Sequence, residues 1–148
     1  MHESATVRVE QLTEELRTLP GKGALPMRLV KLPILRELAN VDCPGMTVRQ
    51  QGSAIRSYVE DGINAIGAIK VEGNPVDEPR AIRCLRLTLL FEGRWLKDVD
   101  ERRTRVLNLL GSKFPLSQMR RHFSPEWELL HALATHLVAQ SEEHQAVS

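Results

Sequence analysis

Aromatic residues are scarce in this chain, at 4%. A core built from it must therefore rest on Leu, Ile and Val, and a stacking platform for bases is not expected. Cysteine is scarcer, with only Cys43 and Cys84. Neither has a partner at metal-ligand spacing, so no disulfide framework or zinc site is implied, which fits a reducing compartment. Both are expected to be buried small apolar residues rather than nucleophiles. No stretch approaches the ~18 consecutive apolar residues of a membrane span. The opening MHESATVRVEQLTEEL carries acids and no long apolar run, unlike a secretory signal. The expectation is a cytoplasmic protein with no membrane partner.

Catalytic signatures are also missing. There is no G-x-S-x-G sequence, and Gly21-Lys22-Gly23 lacks the preceding glycine and following Ser/Thr of a phosphate-binding loop. Glu128 and His131 have the Glu-x-x-His spacing of di-iron bundles, but such sites need a second pair and two more glutamates. A surface carboxylate beside a histidine is the simpler account. His131 and His136, five apart, point away from a common helix face. Asp98, Asp100 and Glu101 suit capping and dipole compensation of the following helix better than acid–base work. No catalytic residue, cofactor or metal is therefore expected, and the chain reads as a non-enzyme.

What is present is a chain of 148 residues, 42% hydrophobic and 26% charged. One domain of this size buries roughly 70% of its unfolded surface and needs no staple. Its charge of +1 is unevenly spread. Residues 1–72 hold nine basic and nine acidic side chains, whereas Arg80–Arg121 holds eleven basic residues and four acids. A balanced total with a basic middle suggests one localised basic face.

Periodicity predicts an all-α bundle of six or seven helices, with an N-terminal set in 1–72, a basic half in 77–140 and a frayed tail at 141–148. The first helix is expected over Ala5–Leu19, since Val9, Leu12, Leu16 and Leu19 recur on one face. Pro26 and Pro33 divide the next segment into two short helices. Thr47 and Gln50 form a capping-box pattern that opens a helix to Ile66, with Gly52 and Gly62 expected at close packing contacts. Ala68–Val71 has strand character without an evident partner, and Asn74-Pro75 signals a turn. Asp77 is expected to cap a helix to Phe91, and Asp98 one over Val99–Leu110 that Gly111 ends. Pro115–His122 is expected to be a short helix. Ser124-Pro125-Glu126 opens the last one, with Trp127, Leu130, Leu133, Ala134 and Leu137 inward.

Glu101–His122 has the form of a helix-turn-helix. Val106, Leu107 and Leu110 would face inward from its first helix, and Leu116 and Met119 from its second. The second helix would then present Ser117, Gln118, Arg120 and Arg121 outward, with Lys113, Arg102 and Arg103 available for phosphates. Together with Arg83 and Arg86, these residues make up the candidate basic face.

Leu89-Leu90-Phe91-Glu92-Gly93, Arg102-Arg103, Leu110-Gly111, Arg120-Arg121 and Glu128-Leu129-Leu130-His131-Ala132-Leu133-Ala134 follow one another in order. With Leu32–Ala39 upstream, this resembles a helix-turn-helix-like helical module of actinobacterial multidomain regulatory and defence-type proteins. Ser112-Lys113-Phe114-Pro115 departs from the small polar run usual after Leu-Gly in that module. The resemblance implies an adaptor rather than a catalyst. Two functions stay open on these residues. One is a non-catalytic regulatory or adaptor module whose basic face meets an acidic protein surface. The other is a transcriptional regulator that binds double-stranded DNA through 101–122. A homodimer burying Trp95 or Phe123 is a third use of the surface.

Overall fold

The computed structural model describes residues 4–93, 96 and 98–147, with side chains as far as residue 143. Helix α1 spans Ala5–Leu16, its first turn closed by Ser4, whose hydroxyl accepts from the Val7 amide at 3.2 Å. It buries Val9, Leu12 and Leu16. The predicted extension to Leu19 is instead a turn that still buries Leu19. Gly23, at φ 86°, closes this turn where a Cβ would meet the Leu90 side chain at 2.7 Å. The Ala24 amide then donates to the Leu89 carbonyl at 2.9 Å.

Pro26 and Pro33 each open a short helix, α2 at Pro26–Leu29 and α3 at Pro33–Ala39. Leu32, ahead of α3, has no side chain able to cap. Glu15 of α1 serves instead, accepting from the Ile34 and Leu35 amides at 2.8 and 3.0 Å. Burial still raises the Glu15 pKa, and the two amide bonds only partly oppose that rise. α4 (Val48–Asn64) starts at a complete capping box: the Gln50 amide donates to Thr47 Oγ1, and the Thr47 amide to Gln50 Oε1. Its glycines lie where backbone and side chains crowd. A Cβ on Gly52 would sit 2.5 Å from the Pro26 carbonyl oxygen, and one on Gly62 would collide with Leu137.

The strand tendency at 69–71 does find a partner. β1 (Ile69–Val71) pairs antiparallel with β2 (Asn74–Val76), in the register Ile69 to Val76 and Val71 to Asn74. Glu72 and Gly73 make the turn, both in the left-handed region with φ of 54° and 76°, a two-residue loop that matches the right-handed twist of the strands. Asn74-Pro75 therefore lies in the second strand, one step past the turn.

α5 (Glu78–Thr88) follows Asp77, whose carboxylate pairs with Arg80 rather than capping an amide. α6 spans Val99–Leu110, as its periodicity predicts, and ends on Gly111 at φ 64°. α7 runs from Pro125 to Val147, so the segment expected to fray continues the helix. It buries Leu129, Leu130, Leu133, Ala134, Leu137 and Val138. α1 packs along α7, α2 against α4, and α5 against α6. The described residues thus form a bundle of seven α-helices with one small hairpin. No helix among them is long and apolar enough to cross a membrane.

Candidate interaction surface

The basic residues at 80–121 divide sharply. Arg102 is 1% exposed. Its guanidinium and Nε donate to the carbonyls of Leu96 (3.1 Å), Leu87 (3.3 Å), Thr88 (3.2 Å) and Pro20 (2.6 Å), and at longer range to Gly21. Two of these carbonyls belong to the last turn of α5, where helical carbonyls have no intrahelical donor and the dipole favours a cation. Burial lowers the Arg102 pKa, Arg103 adds to that, and Glu126 and Asp98 oppose it. Arg102 therefore does not belong to the exposed face predicted for it. It ties α5, α6 and the 20–23 turn together.

Arg103 is also internal. Its Nε and Nη2 donate to the two oxygens of Glu126 at 2.8 and 3.0 Å, and both side chains are nearly buried. Arg86 bonds Glu60 at 2.9 Å, approaches Glu92 at 3.5 Å and lies 6.0 Å from the Phe91 ring centroid. These three arginines hold the bundle together, so the basic face is smaller than the sequence suggests. Arg83 is exposed on α5, and among the described residues no hydrogen bond or ion pair links it to the 113–121 segment.

The second helix of the expected helix-turn-helix is a single 3₁₀ turn, Leu116–Gln118. Pro115 opens the segment and Phe123, at φ 63°, closes it, leaving too few residues to repay helix nucleation. The Met119 carbonyl, which a continuing helix would offer to residue 123, accepts instead from the buried Ser124 hydroxyl at 2.7 Å. The Ser124 Oγ in turn accepts from the Trp127 amide at 3.1 Å and so caps α7. Met119 is buried, as expected of an inward residue, but Leu116 is 36% exposed. Lys113, Ser117, Arg120 and Arg121 are exposed, and Gln118 is half-buried. Among the described residues, no carboxylate pairs with Lys113, Arg120 or Arg121.

Beside this segment lies an aromatic ladder. The Phe123 and Trp127 rings are tilted with centroids 4.8 Å apart, and Trp127 stacks on His131 at 4.7 Å. His122 flanks both, at 6.0 and 6.3 Å. Phe123 is 73% exposed. A bulky side chain in the left-handed region costs about 1–2 kcal/mol, so this residue combines backbone strain with an apolar surface left in water. Trp127, expected inward, is half-buried at the surface. The ladder is legible as a spacing: residues 127 and 131 fall one step of four apart on one face of α7, and residue 123 lies four before them in the turn that leads into it.

The ladder joins the basic segment through Arg17. Its guanidinium holds Glu14 at 2.9 Å, reaches the His122 ring at 3.1 Å and donates to the Arg120 carbonyl at 2.7 Å. Glu14 also meets His122 at 3.0 Å. Between these groups, Arg103, Glu126 and Thr18 line an open cleft of about 290 Å³. Most of its charged groups are already paired, and small-molecule pockets are usually enclosed and apolar.

The remaining candidates separate. Glu128 accepts from the Glu72 amide at 2.8 Å, whereas His131 stacks on Trp127, so the Glu-x-x-His pair has two unrelated roles. Among the described residues, no three His, Cys, Asp or Glu side chains gather as a metal site. Cys84 is buried and its thiol pKa is pushed up to about 11 by desolvation. Cys43 is exposed, contrary to expectation, because it lies in the turn before α4. Trp95 lies outside the described residues. Compared with family models, with curated proteins and with solved structures, the chain finds no match.

Proposed function

We propose that this protein is a non-catalytic regulatory or adaptor module whose 113–121 edge meets an acidic protein surface. The observation that carries this reading is the pair Arg120 and Arg121, exposed and without a carboxylate partner among the described residues, while Arg86 and Arg103 each hold one. Unpaired arginines at an edge favour encounter with an oppositely charged partner and fix its orientation. The resemblance of 87–138 to an adaptor-like helical module supports the same reading. Docking in a DNA major groove needs a recognition helix, and one 3₁₀ turn is a poor substitute.

Fluorescence anisotropy with a labelled oligoglutamate and with random duplex DNA tests this reading at low and moderate salt. The expected result is salt-sensitive binding of oligoglutamate that Arg120→Ala with Arg121→Ala weakens roughly 2- to 30-fold, the range for two exposed ion pairs. Tighter binding of the duplex, lost in the same variant, would overturn the proposal in favour of DNA recognition.

A further inference from the structure

Resting on that reading, we infer that Phe123 is the docking platform for an aromatic side chain in the partner, so that the partner is an acidic segment with an aromatic anchor. Among the described residues, Phe123 is the most exposed of the large apolar side chains, 73% against 56% for Met27. It is held out in water by a left-handed backbone, and the segment around it is fixed by the buried Ser124 hydroxyl. Trp127 is enclosed on both sides, by Phe123 and by His131. The open aromatic surface of the ladder is therefore Phe123 itself. Rings pack offset or edge-to-face at centroid distances of about 4.5–7 Å, so an incoming ring can extend the ladder by one step.

Charge selects the rest of the partner. Arg17 is engaged by Glu14, and Arg103 by Glu126. Arg120 and Arg121, three and two residues before Phe123, remain unpaired among the described residues. Carboxylates flanking the anchor would meet them. An aromatic anchor set between charged contacts is the usual composition of a binding hot spot.

Strain gives the test its power. Glycine adopts φ 63° freely and asparagine tolerates it, so Phe123→Gly and Phe123→Asn relieve the backbone while removing the platform. The probes are a short fluorescein-labelled peptide of alternating Glu and Ser with one central Trp, its counterpart with Ala in place of Trp, and oligo-dT of matching length. The Trp peptide is expected to bind at least about tenfold tighter than the Ala peptide. Both Phe123 variants should abolish that difference while melting at or above the parent's temperature. Equal binding of the two peptides would overturn the anchor and leave the acidic-partner reading standing. Binding of neither peptide would overturn both. Preference for oligo-dT would make the ladder a base-stacking surface and reject the protein partner. A persistent Trp advantage in Phe123→Gly would place the anchor elsewhere.

Discussion

Two groups of arginines, close in sequence, are treated oppositely by the fold. Arg102 and Arg103 lie one turn into α6, and their guanidiniums are consumed by five carbonyls and by Glu126 respectively. Arg120 and Arg121 lie beyond the 3₁₀ turn and stand in solvent. The difference teaches that an Arg-Arg pair carries no fixed role. A pair on a buried helix face serves as internal glue, and a pair on a turn remains available to a partner.

Substitution can grade that contrast, beginning with the most buried residue. Arg102→Met would leave its carbonyls without a donor inside the protein. A loss of about 3–5 kcal/mol is expected, comparable to breaking a buried charged network. For a chain of this size the melting temperature should fall by about 10–20 °C, readable by circular dichroism. A fall of only a few degrees would mean that water replaces the guanidinium, and the contrast would lose its strongest member.

Arg103→Ala is expected to remove about 3 kcal/mol, because it strands the buried Glu126 carboxylate. Adding Glu126→Gln should return at least about 1 kcal/mol in urea unfolding, since the stranded charge is then gone. If the second substitution only adds to the damage, the pair matters for packing and not for charge. Arg86→Ala should remove about 1 kcal/mol, as its partners Glu60 and Glu92 are each about one-third exposed and solvent screens the pair. At the far end of the scale, Arg120→Ala with Arg121→Ala should leave the unfolding midpoint within about 0.5 kcal/mol of the parent. A larger loss would show these two to be structural as well.

Most helices were legible because local signals agree there. Asp98 with Gly111 brackets α6, Thr47 with Gln50 opens α4, and the two prolines start α2 and α3. The departures have tertiary causes. β1 found its partner because Glu72 accepts a left-handed turn, an unusual conformation for that residue type. Pro115–His122 did not become a helix because Ser124 takes the Met119 carbonyl. α3 is capped by Glu15, nineteen residues from Ile34, which no local pattern reveals. The candidate surface was half legible. Arg120 and Arg121 were found from charge, whereas Arg102 was misplaced because charge patterning does not report burial. The Phe123–Trp127–His131 stripe has a spacing of four, but Trp127 alone reads as an inward residue because the leucines after it set the apolar face.

The Arg102 clutch also bears on the order in which a nascent chain can settle. Its acceptors include Pro20, so the turn after α1 stays without its closing donor until residue 102 has been added. At about 5–20 residues per second, synthesis of the intervening stretch takes roughly 4–16 s. During that interval α1 can form as a helix, and the turn behind it can reach Leu89 and Leu90 but not yet the guanidinium that takes the Pro20 carbonyl. Emergence of one arginine then joins the turn after α1 to α6, and slow translation between those points would lengthen the time the Pro20 carbonyl waits for its donor.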